Sequence, residues 1–386
     1  MMDFTAYISL FLILYTYLGY FFVILVLGQL RNLKVAKSND FDSLPSVTLM
    51  IAAYNEEKNI HEKILNSLKL DYPKELLEIL VVSDASSDDT DIITKSFADQ
   101  GVKLIRIEGR LGKTEARNQA IKLVKSDITL FSDATTDYNS NVIKSLVSNF
   151  NDPKVGMAIG HLKYSNSSNT QMGVGQKLYW EYETLIKQAQ TKFGTLTGSI
   201  GCITAFRTKH YTALPSNIIE DFTEPLMFIQ KGLRVVFEKD AVCYEDATDK
   251  SSNEWSMRVR VIRGGITGLI YAKSVLNPFK NPAASFQLIS HKVLRWLVPI
   301  FGIILLISSS ISVVCNDSTS DLIKIIFGLQ LIFYTTSLVS FILEKLKIQN
   351  ELLAIPLYFA VVNLASLVAI FKVITSKLEA TWETDR

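Results

Sequence analysis

Ile128-Thr129-Leu130-Phe131-Ser132-Asp133-Ala134-Thr135 is a β-prone apolar run that closes on a carboxylate. Upstream, Ile79-Leu80-Val81-Val82-Ser83-Asp84 repeats the pattern. Two strands that each end in an aspartate place two carboxylates on one rim of a sheet. In open α/β sheets ligands bind at that rim, beyond the carboxyl ends of the strands. A carboxylate there can hold a divalent cation, and the cation can hold a diphosphate.

The segments around these two runs alternate in period. After Pro45, Val47–Ala53 reads as a strand, residues 56–70 as a helix, and residues 79–83 as a strand. Residues 88–97 read as a helix, Val102–Ile107 as a strand, residues 114–124 as a helix and residues 128–131 as a strand. Strands alternating with amphipathic helices predict βαβ units and a mostly parallel sheet. Beyond Val155 the alternation loosens. Strands are expected at 155–159, 203–206, 235–237 and 241–244, and helices at 177–190 and 252–271, the latter rich in arginine.

The 386 residues suffice for more than one domain, and a formal charge of +2 gives no electrostatic pull toward nucleic acid. Mean hydropathy is +0.22 with 48% hydrophobic residues, an excess concentrated at the two ends. Residues 4–30 carry no charge and are long enough to span a bilayer. The start Met1-Met2-Asp3 lacks the basic region of a cleaved leader, so an uncleaved anchor is expected. Three further charge-free runs occupy 296–316, 325–343 and 352–371. Arg31, Lys34 and Lys37 follow the first run, and Lys280, Lys292 and Arg295 precede the second, which places residues 31–295 in the cytoplasm. Four crossings would then leave the C-terminus outside, and one re-entrant or interfacial segment would reverse that parity. Cys202, Cys243 and Cys315 make no CxxC pair, and His61, His161, His210 and His291 are scattered, so neither a disulfide framework nor a zinc site is expected.

Three motifs sit at expected strand ends. Ala52-Ala53-Tyr54-Asn55-Glu56-Glu57 offers small residues for close approach of a planar ligand and a tyrosine to stack on it; the same stretch also reads as a helix start capped by Asn55. Asp84-Ala85-Ser86-Ser87-Asp88-Asp89-Thr90 is a polar turn in which Ser87 or Asp88 can cap a helix, while Asp84 belongs to the strand end. In Arg110-Leu111-Gly112-Lys113-Thr114 a glycine and lysine precede a helix, which suits a phosphate or a solvated lysine equally; the spacing is not that of a Walker A loop.

In order and spacing, AAYNEE, VVSDASSDDT, GRLGKTEARNQA and FSDATT resemble glycosyltransferase family 2, the nucleotide-sugar enzymes of GT-A fold. The resemblance extends through Gly198-Ser199-Ile200-Gly201-Cys202 and Glu220-Asp221-Phe222 into the arginine-rich helix, roughly residues 45–265. It implies an α/β GT-A nucleotide-sugar-binding domain, a mostly parallel mixed sheet flanked by helices, with one N-terminal and about three C-terminal transmembrane helices. The expected organisation is a membrane helix at 1–30, a linker at 31–44, a cytoplasmic domain at 45–275, an interfacial segment at 276–295, membrane helices at 296–373 and a tail at 374–386. The implied roles are donor binding by Ala53, Tyr54, Glu56, Asp84 and Lys113, metal binding by Asp133, and acceptor binding by Gly198, Ser199 and Gly201. Asp221 would be the general base, with Glu220 beside it. Arg260 and Arg263, three apart on one helix face, would steady the departing diphosphate, or meet lipid headgroups.

The resemblance further implies a divalent metal (Mg²⁺ or Mn²⁺), a UDP-sugar donor, a glycan or lipid-linked acceptor, a bacterial plasma-membrane location and other polysaccharide-assembly membrane proteins as partners. Two departures stand out. Many members carry Asp-X-Asp where this chain has Asp133-Ala134-Thr135, and processive members carry Gln-X-X-Arg-Trp where it has Arg260-Val261-Ile262-Arg263-Gly264. The second departure favours one or a few additions over long-chain synthesis. A non-catalytic membrane partner that keeps the fold is the rival class. A nucleotide-dependent dehydrogenase is set aside because no G-x-G-x-x-G follows the first strand.

Overall fold

The computed structural model describes residues 2–37, 44–165, 171–245, 251–315, 319–346, 348 and 351–376. Part of the expected linker and most of the expected tail, residues 38–43 and 377–386, lie outside the described residues. The chain opens with α1 (Met2–Leu14), a wider helical turn at Tyr15–Gly19, and α2 (Tyr20–Arg31). The α/β domain then follows with β1 (Val47–Ala53), α3 (Ile60–Leu68), β2 (Leu77–Asp84), α4 (Thr90–Lys95), β3 (Val102–Ile107), α5 (Lys113–Ala120) and β4 (Ile128–Asp133). Next come β5 (Asp137–Tyr138), α6 (Val142–Val147), β6 (Val155–Tyr164), α7 (Gln171–Phe193), β7 (Thr204–Arg207), α8 (Glu220–Gln230), β8 (Arg234–Glu245) and α9 (Ser251–Tyr271).

The strands make one sheet in the order β3-β2-β1-β4-β7-β6-β8-β5. The first four run parallel, so their carboxyl ends share a rim. In β1 every residue but Ala52 is buried, as for a strand covered on both faces. Register brings the motifs together: Ala52 pairs with Asp133 on one side and Val82 on the other, and Ala53 pairs with Ser83, next to Asp84. The two aspartates therefore flank the end of β1. At β7 the direction reverses, since β7 is antiparallel to both β4 and β6.

Some boundaries differ from the sequence expectation. The helix expected from residue 56 begins at Ile60, because residues 55–57 bond sideways to the next strand–helix turn. The two short strands expected at 235–237 and 241–244 are one strand, β8, with a register irregularity in its pairing with β6; the polar Glu238-Lys239-Asp240 interrupts the apolar pattern without breaking the ladder. β5 and α6 carry no clear period and were not expected.

After the domain, α10 (Pro282–Gln287), a wide turn at Leu288–Val293 and α11 (Leu294–Cys315) form one continuous helix, followed by α12 (Asp321–Lys345) and α13 (Glu351–Thr375). Among the described residues four helices are long and apolar enough to cross a membrane: Met2–Arg31, Pro282–Cys315, Asp321–Lys345 and Ile355–Thr375. The first two lie antiparallel. Ser312 donates to Asp3 at the far end and Tyr15 meets Ser290 nearer the domain. The segment expected to lie on the membrane surface, 276–295, instead runs into α11, and its His291 and Arg295 are buried on Glu183 of α7. α2 also rests on α7, and a Cβ on Gly28 would lie 2.7 Å from the Ala189 carbonyl.

α13 takes a different course from α11 and α12. Ser340 Oγ donates to Leu353 O near its start, Ser366 Oγ to Trp296 O at its middle, and Arg263 of α9 to Ser376 O just past its end. Trp296 opens α11 on the domain side, so the second half of α13 stays beside the domain and does not travel back toward Asp3 and Ser312. Of the two parities left open by the sequence, this course fits the one with a re-entrant or interfacial C-terminal segment. Cys202 and Cys243 are buried and Cys315 is exposed at the far end of α11, which provides a native probe. A membrane-impermeant maleimide is expected to label Cys315 from one face of the membrane and a Ser376→Cys variant, made with Cys315→Ser, from the other. Labelling of both positions from the same face would contradict this course for α13.

Candidate functional site

The rim of the parallel strands opens into a cavity lined by residues from four connections. Ala53, Tyr54 and Glu56 follow β1, Asp84 ends β2, Arg110, Gly112 and Lys113 precede α5, and Asp133, Ala134 and Thr135 end β4. All the residues expected to contact a donor, apart from the two arginines of α9, thus share one cavity with the expected metal ligand. Asp84 is buried, and its two oxygens accept the backbone N–H groups of Leu111 and Gly112, each at 2.8 Å. It is therefore first the anchor of the loop before α5. That loop needs Gly109 (φ 94°), Arg110 (φ 47°) and Gly112 (φ 90°) in left-handed backbone. So anchored, the Arg110 guanidinium lies 4.3 Å from the centre of the Tyr54 ring, making a flat cationic wall at the cavity mouth.

The facing loops are stapled together. Asn55 Oδ1 accepts the Ser87 N–H at 2.8 Å, Glu56 N–H donates to Thr90 Oγ1 at 2.8 Å, and Glu57 N–H to Asp88 Oδ2 at 3.0 Å. Asn55 and Asp88, each a candidate helix cap in the sequence, thus join two loops, and Asp88 Oδ1 also accepts the Thr90 N–H at the start of α4 at 3.1 Å. Asn55 and Ala85 hold left-handed backbone (φ 54° and 58°), and strain of that kind persists where surroundings enforce it.

Behind Asp133 stands a compact charge cluster. Lys113 Nζ lies 2.7 Å from Asp133 Oδ1 and 3.7 Å from Glu220 Oε1. One turn on, on the same face of α5, Arg117 is 1% exposed and reaches Glu220 Oε1 at 3.1 Å, Asp133 Oδ1 at 3.4 Å and the Gly201 carbonyl at 3.1 Å. Its guanidinium also covers the Phe131 ring at 4.3 Å. Thr114 Oγ1 donates to Glu220 Oε2 at 2.9 Å. Sequence reasoning quoted Arg117 inside a motif but gave it no role; the available signal was its spacing of four from Lys113. Lys63, also passed over, is fully buried, donates to Thr136 O at 2.6 Å and sits 3.8 Å over the Tyr138 ring, fixing the turn that follows Asp133.

Glu220 and Asp221 open α8, and the loop holding Gly198, Ser199 and Gly201 lies against them. Ser199 donates from N and Oγ to the Asp221 carbonyl, both at 2.7 Å. Gly201 leaves room for the Asp221 side chain: a Cβ there would sit 2.1 Å from Asp221 Oδ1. That oxygen is buried without a hydrogen bond among the described residues. Burial, and then the neighbouring Glu220 charge, push the Asp221 carboxyl up to about 6 against the pull of Lys113 and Arg117. Glu220 goes the other way: burial works upward, but Lys113 and Arg117 outweigh it and hold Glu220 below its ordinary value. Glu224, one turn further along α8, is pushed up to about 8, chiefly by burial. Two adjacent carboxyls are thereby split, one fixed as an ion and one able to exchange a proton near neutrality.

Arg260 and Arg263 do not line this cavity. They line a second hollow with Trp255, Ser256, Val259 and Lys372, between α9 and α13. No group of three or more His, Cys, Asp or Glu side chains converges to hold a metal ion among the described residues. Asp133, one third exposed, and Glu56 are carboxylates on the cavity wall that offer oxygen chemistry to a hard cation.

A mixed sheet whose four adjacent parallel strands carry a ligand cavity on their carboxyl rim, continued through the antiparallel β7 and with Glu220 and Asp221 at the start of α8, defines the GT-A class of nucleotide-sugar-binding domain. Residues 48–214 match the model of the family Glycosyl transferase family 2. It is 29% identical over 233 residues to the poly-beta-1,6-N-acetyl-D-glucosamine synthase of Staphylococcus aureus (strain COL), covering 58% of this chain and 55% of that protein. It is 23% identical over 272 residues to the synthase of the same name from Staphylococcus epidermidis, covering 68% and 65%. The chain thus spans little more than half of the first relative. Among solved structures, a mannosyltransferase from Pyrobaculum calidifontis, in complex with GDP-Man and Mn²⁺, superposes with a TM-score of 0.70 at 18% identity, over 95% of this chain and 99% of that one.

Gly201→Ala is expected to force the Asp221 carboxylate aside and to cost about 1–3 kcal/mol through overpacking, read as a lower thermal midpoint. Gly198→Ala, whose added carbon would come no nearer than 3.9 Å to Lys292, is expected to leave the midpoint unchanged.

Proposed function

We propose that this chain is a membrane-anchored inverting glycosyltransferase. It moves a sugar from a nucleotide-sugar donor, a UDP-sugar, to a hydroxyl of a glycan or lipid-linked acceptor in the synthesis of a cell-surface polysaccharide or glycolipid. The observation that carries this reading is the bridging of two carboxylates by the same two cations. Lys113 and Arg117 join Asp133, on the cavity wall, to Glu220, the neighbour of Asp221. The basic flanks of the first two apolar helices support a cytoplasmic domain, on the side where activated sugars are available.

In this reading Tyr54 and Arg110 enclose the nucleoside, Asp84 holds the loop that shapes the cavity, and Lys113 faces the phosphates. A divalent cation, Mg²⁺ or Mn²⁺, would be held by Asp133 together with donor phosphate oxygens and water, and would supply neutralisation of the leaving diphosphate. Asp221 accepts the proton of the acceptor hydroxyl. The hydroxyl oxygen bonds to the anomeric carbon as the carbon–oxygen bond to the diphosphate breaks, and the diphosphate leaves with the electron pair. One displacement inverts the anomeric centre. Glu220, kept ionised by Lys113 and Arg117, raises the basicity of Asp221 without competing for the proton.

A base must be ionised to act. With its carboxyl pushed up to about 6, Asp221 loses its proton above that value, so transfer is expected to fall as pH drops through about 6 and to level off above it. Asp221→Asn is expected to bind donor with unchanged affinity and to lose transfer by a factor of about 10³ or more. Turnover near that of the parent would remove Asp221 from this role, and loss of metal-dependent donor hydrolysis in the parent chain would favour a non-catalytic partner.

A second reading is processive polymer synthesis, favoured by the staphylococcal relatives, which are named for a polymer of N-acetylglucosamine. Against it stands Gly264 where processive members carry tryptophan. Labelled UDP-N-acetylglucosamine, with products sized on a gel, separates the two: a ladder of long products supports processivity, one or two additions the first reading.

A further inference from the structure

We propose that the hollow between α9 and α13 binds the phosphate group of an anionic membrane lipid. Among the described residues six line it, three of them cations, Arg260, Arg263 and Lys372, and none of the six acidic. Arg260 and Arg263 share a face of α9 because they are three apart. Arg258, on another side of the helix, is committed to packing: it donates to the Tyr358 hydroxyl and lies 4.9 Å from the centre of the Tyr179 ring. Arg260 and Arg263 line the hollow and Arg258 does not.

Position selects a lipid over a soluble anion. α9 and α13 pack along an apolar seam in which Val259 and Ile262 meet Ala365 and Ala369. α13 carries the charge-free run 352–371, and Lys372 is the first charge after it, the place where a long cationic side chain reaches the headgroup layer from an apolar helix. Trp255 supplies an amphipathic wall of the kind enriched at that depth. Arg263 is held by Ser376, donating to its carbonyl at 2.7 Å and meeting its hydroxyl at 3.1 Å, which fixes the guanidinium while its fork still carries further donors. Fixed arginines match phosphate oxygens in pairs. The hollow shares no lining residue with the donor cavity, so an anion bound here is additional to the donor.

The test uses the full chain in detergent, with phosphatidylglycerol or phosphatidylcholine as the probe and native mass spectrometry as the readout. Retention of phosphatidylglycerol over phosphatidylcholine is expected. Arg260→Gln/Arg263→Gln should weaken that retention by more than tenfold, at about fivefold per charge removed. Should the double variant fail to fold, Lys372→Gln, at an exposed helix end, is expected to weaken retention about fivefold on its own. Lys345→Gln, an exposed cation ending α12, should leave it unchanged. Equal retention of both lipids, or retention unaffected by Lys372→Gln and the double variant, overturns the proposal. Displacement of the lipid by millimolar inorganic phosphate also overturns it, since the hollow would then be a site for free phosphate.

Discussion

A buried arginine touching two carboxylates and a carbonyl is the constraint on which the rest of this structure depends. Arg117 joins α5 to the end of β4 through Asp133, to α8 through Glu220 and to the loop before β7 through Gly201. The four parallel strands meet the antiparallel β7 at β4, and Arg117 reaches across that junction, since Asp133 ends β4 and Gly201 shortly precedes β7. Buried ion pairs add little net stability, yet stripping one partner costs about 3–5 kcal/mol because a charge is left uncompensated. Its value here is geometric: the same guanidinium sets the position of two carboxylates that stand in different halves of the fold.

The parallel strands were legible because β1, β2 and β4 are largely buried and end in small or acidic residues, while the edge strand β3 keeps a short β-prone run. Val47–Ala53 and Val102–Ile107 fall where the pattern places them. The cavity was legible for the same reason, since Asp84 and Asp133 both stand at strand ends. Hidden from the sequence were contacts that cross between motifs. Asn55 reads as a cap because asparagine often is one, and nothing local announces that Ser87 lies opposite. Arg117 reads as one arginine in a polar helix until its neighbours arrive from residues 133, 201 and 220. Periodicity placed Arg260 and Arg263 on one face correctly, but could not say that α13, rather than the donor, would lie across it.

The apolar helices and the α/β domain do not form separate bodies joined by a flexible leader. Glu183 of α7 is paired with both His291 and Arg295 at the base of α11, and Gln190 of α7 donates to the Tyr20 hydroxyl of α2 at 2.8 Å. Arg234, at the start of β8, reaches the carbonyls of Gly194 and Lys34. α7 is thus the common support of domain and membrane segments, and the loop carrying Gly198, Ser199 and Gly201 leaves directly from its end.

Gly28 sits against the Ala189 carbonyl with no room for a side chain, so α2 and α7 meet backbone to backbone. A helix seated this way is a strut, not a tether. The height of the Asp133 cavity above the apolar helices becomes a fixed length, and an acceptor must come to it. Helical phase then matters more than composition: one residue inserted between Tyr15 and Gly28 would turn the outer half of the helix by about 100° relative to α7. Extra residues beyond Arg31 would leave that phase untouched. The chain's reach from the membrane is written in the count of residues along one helix.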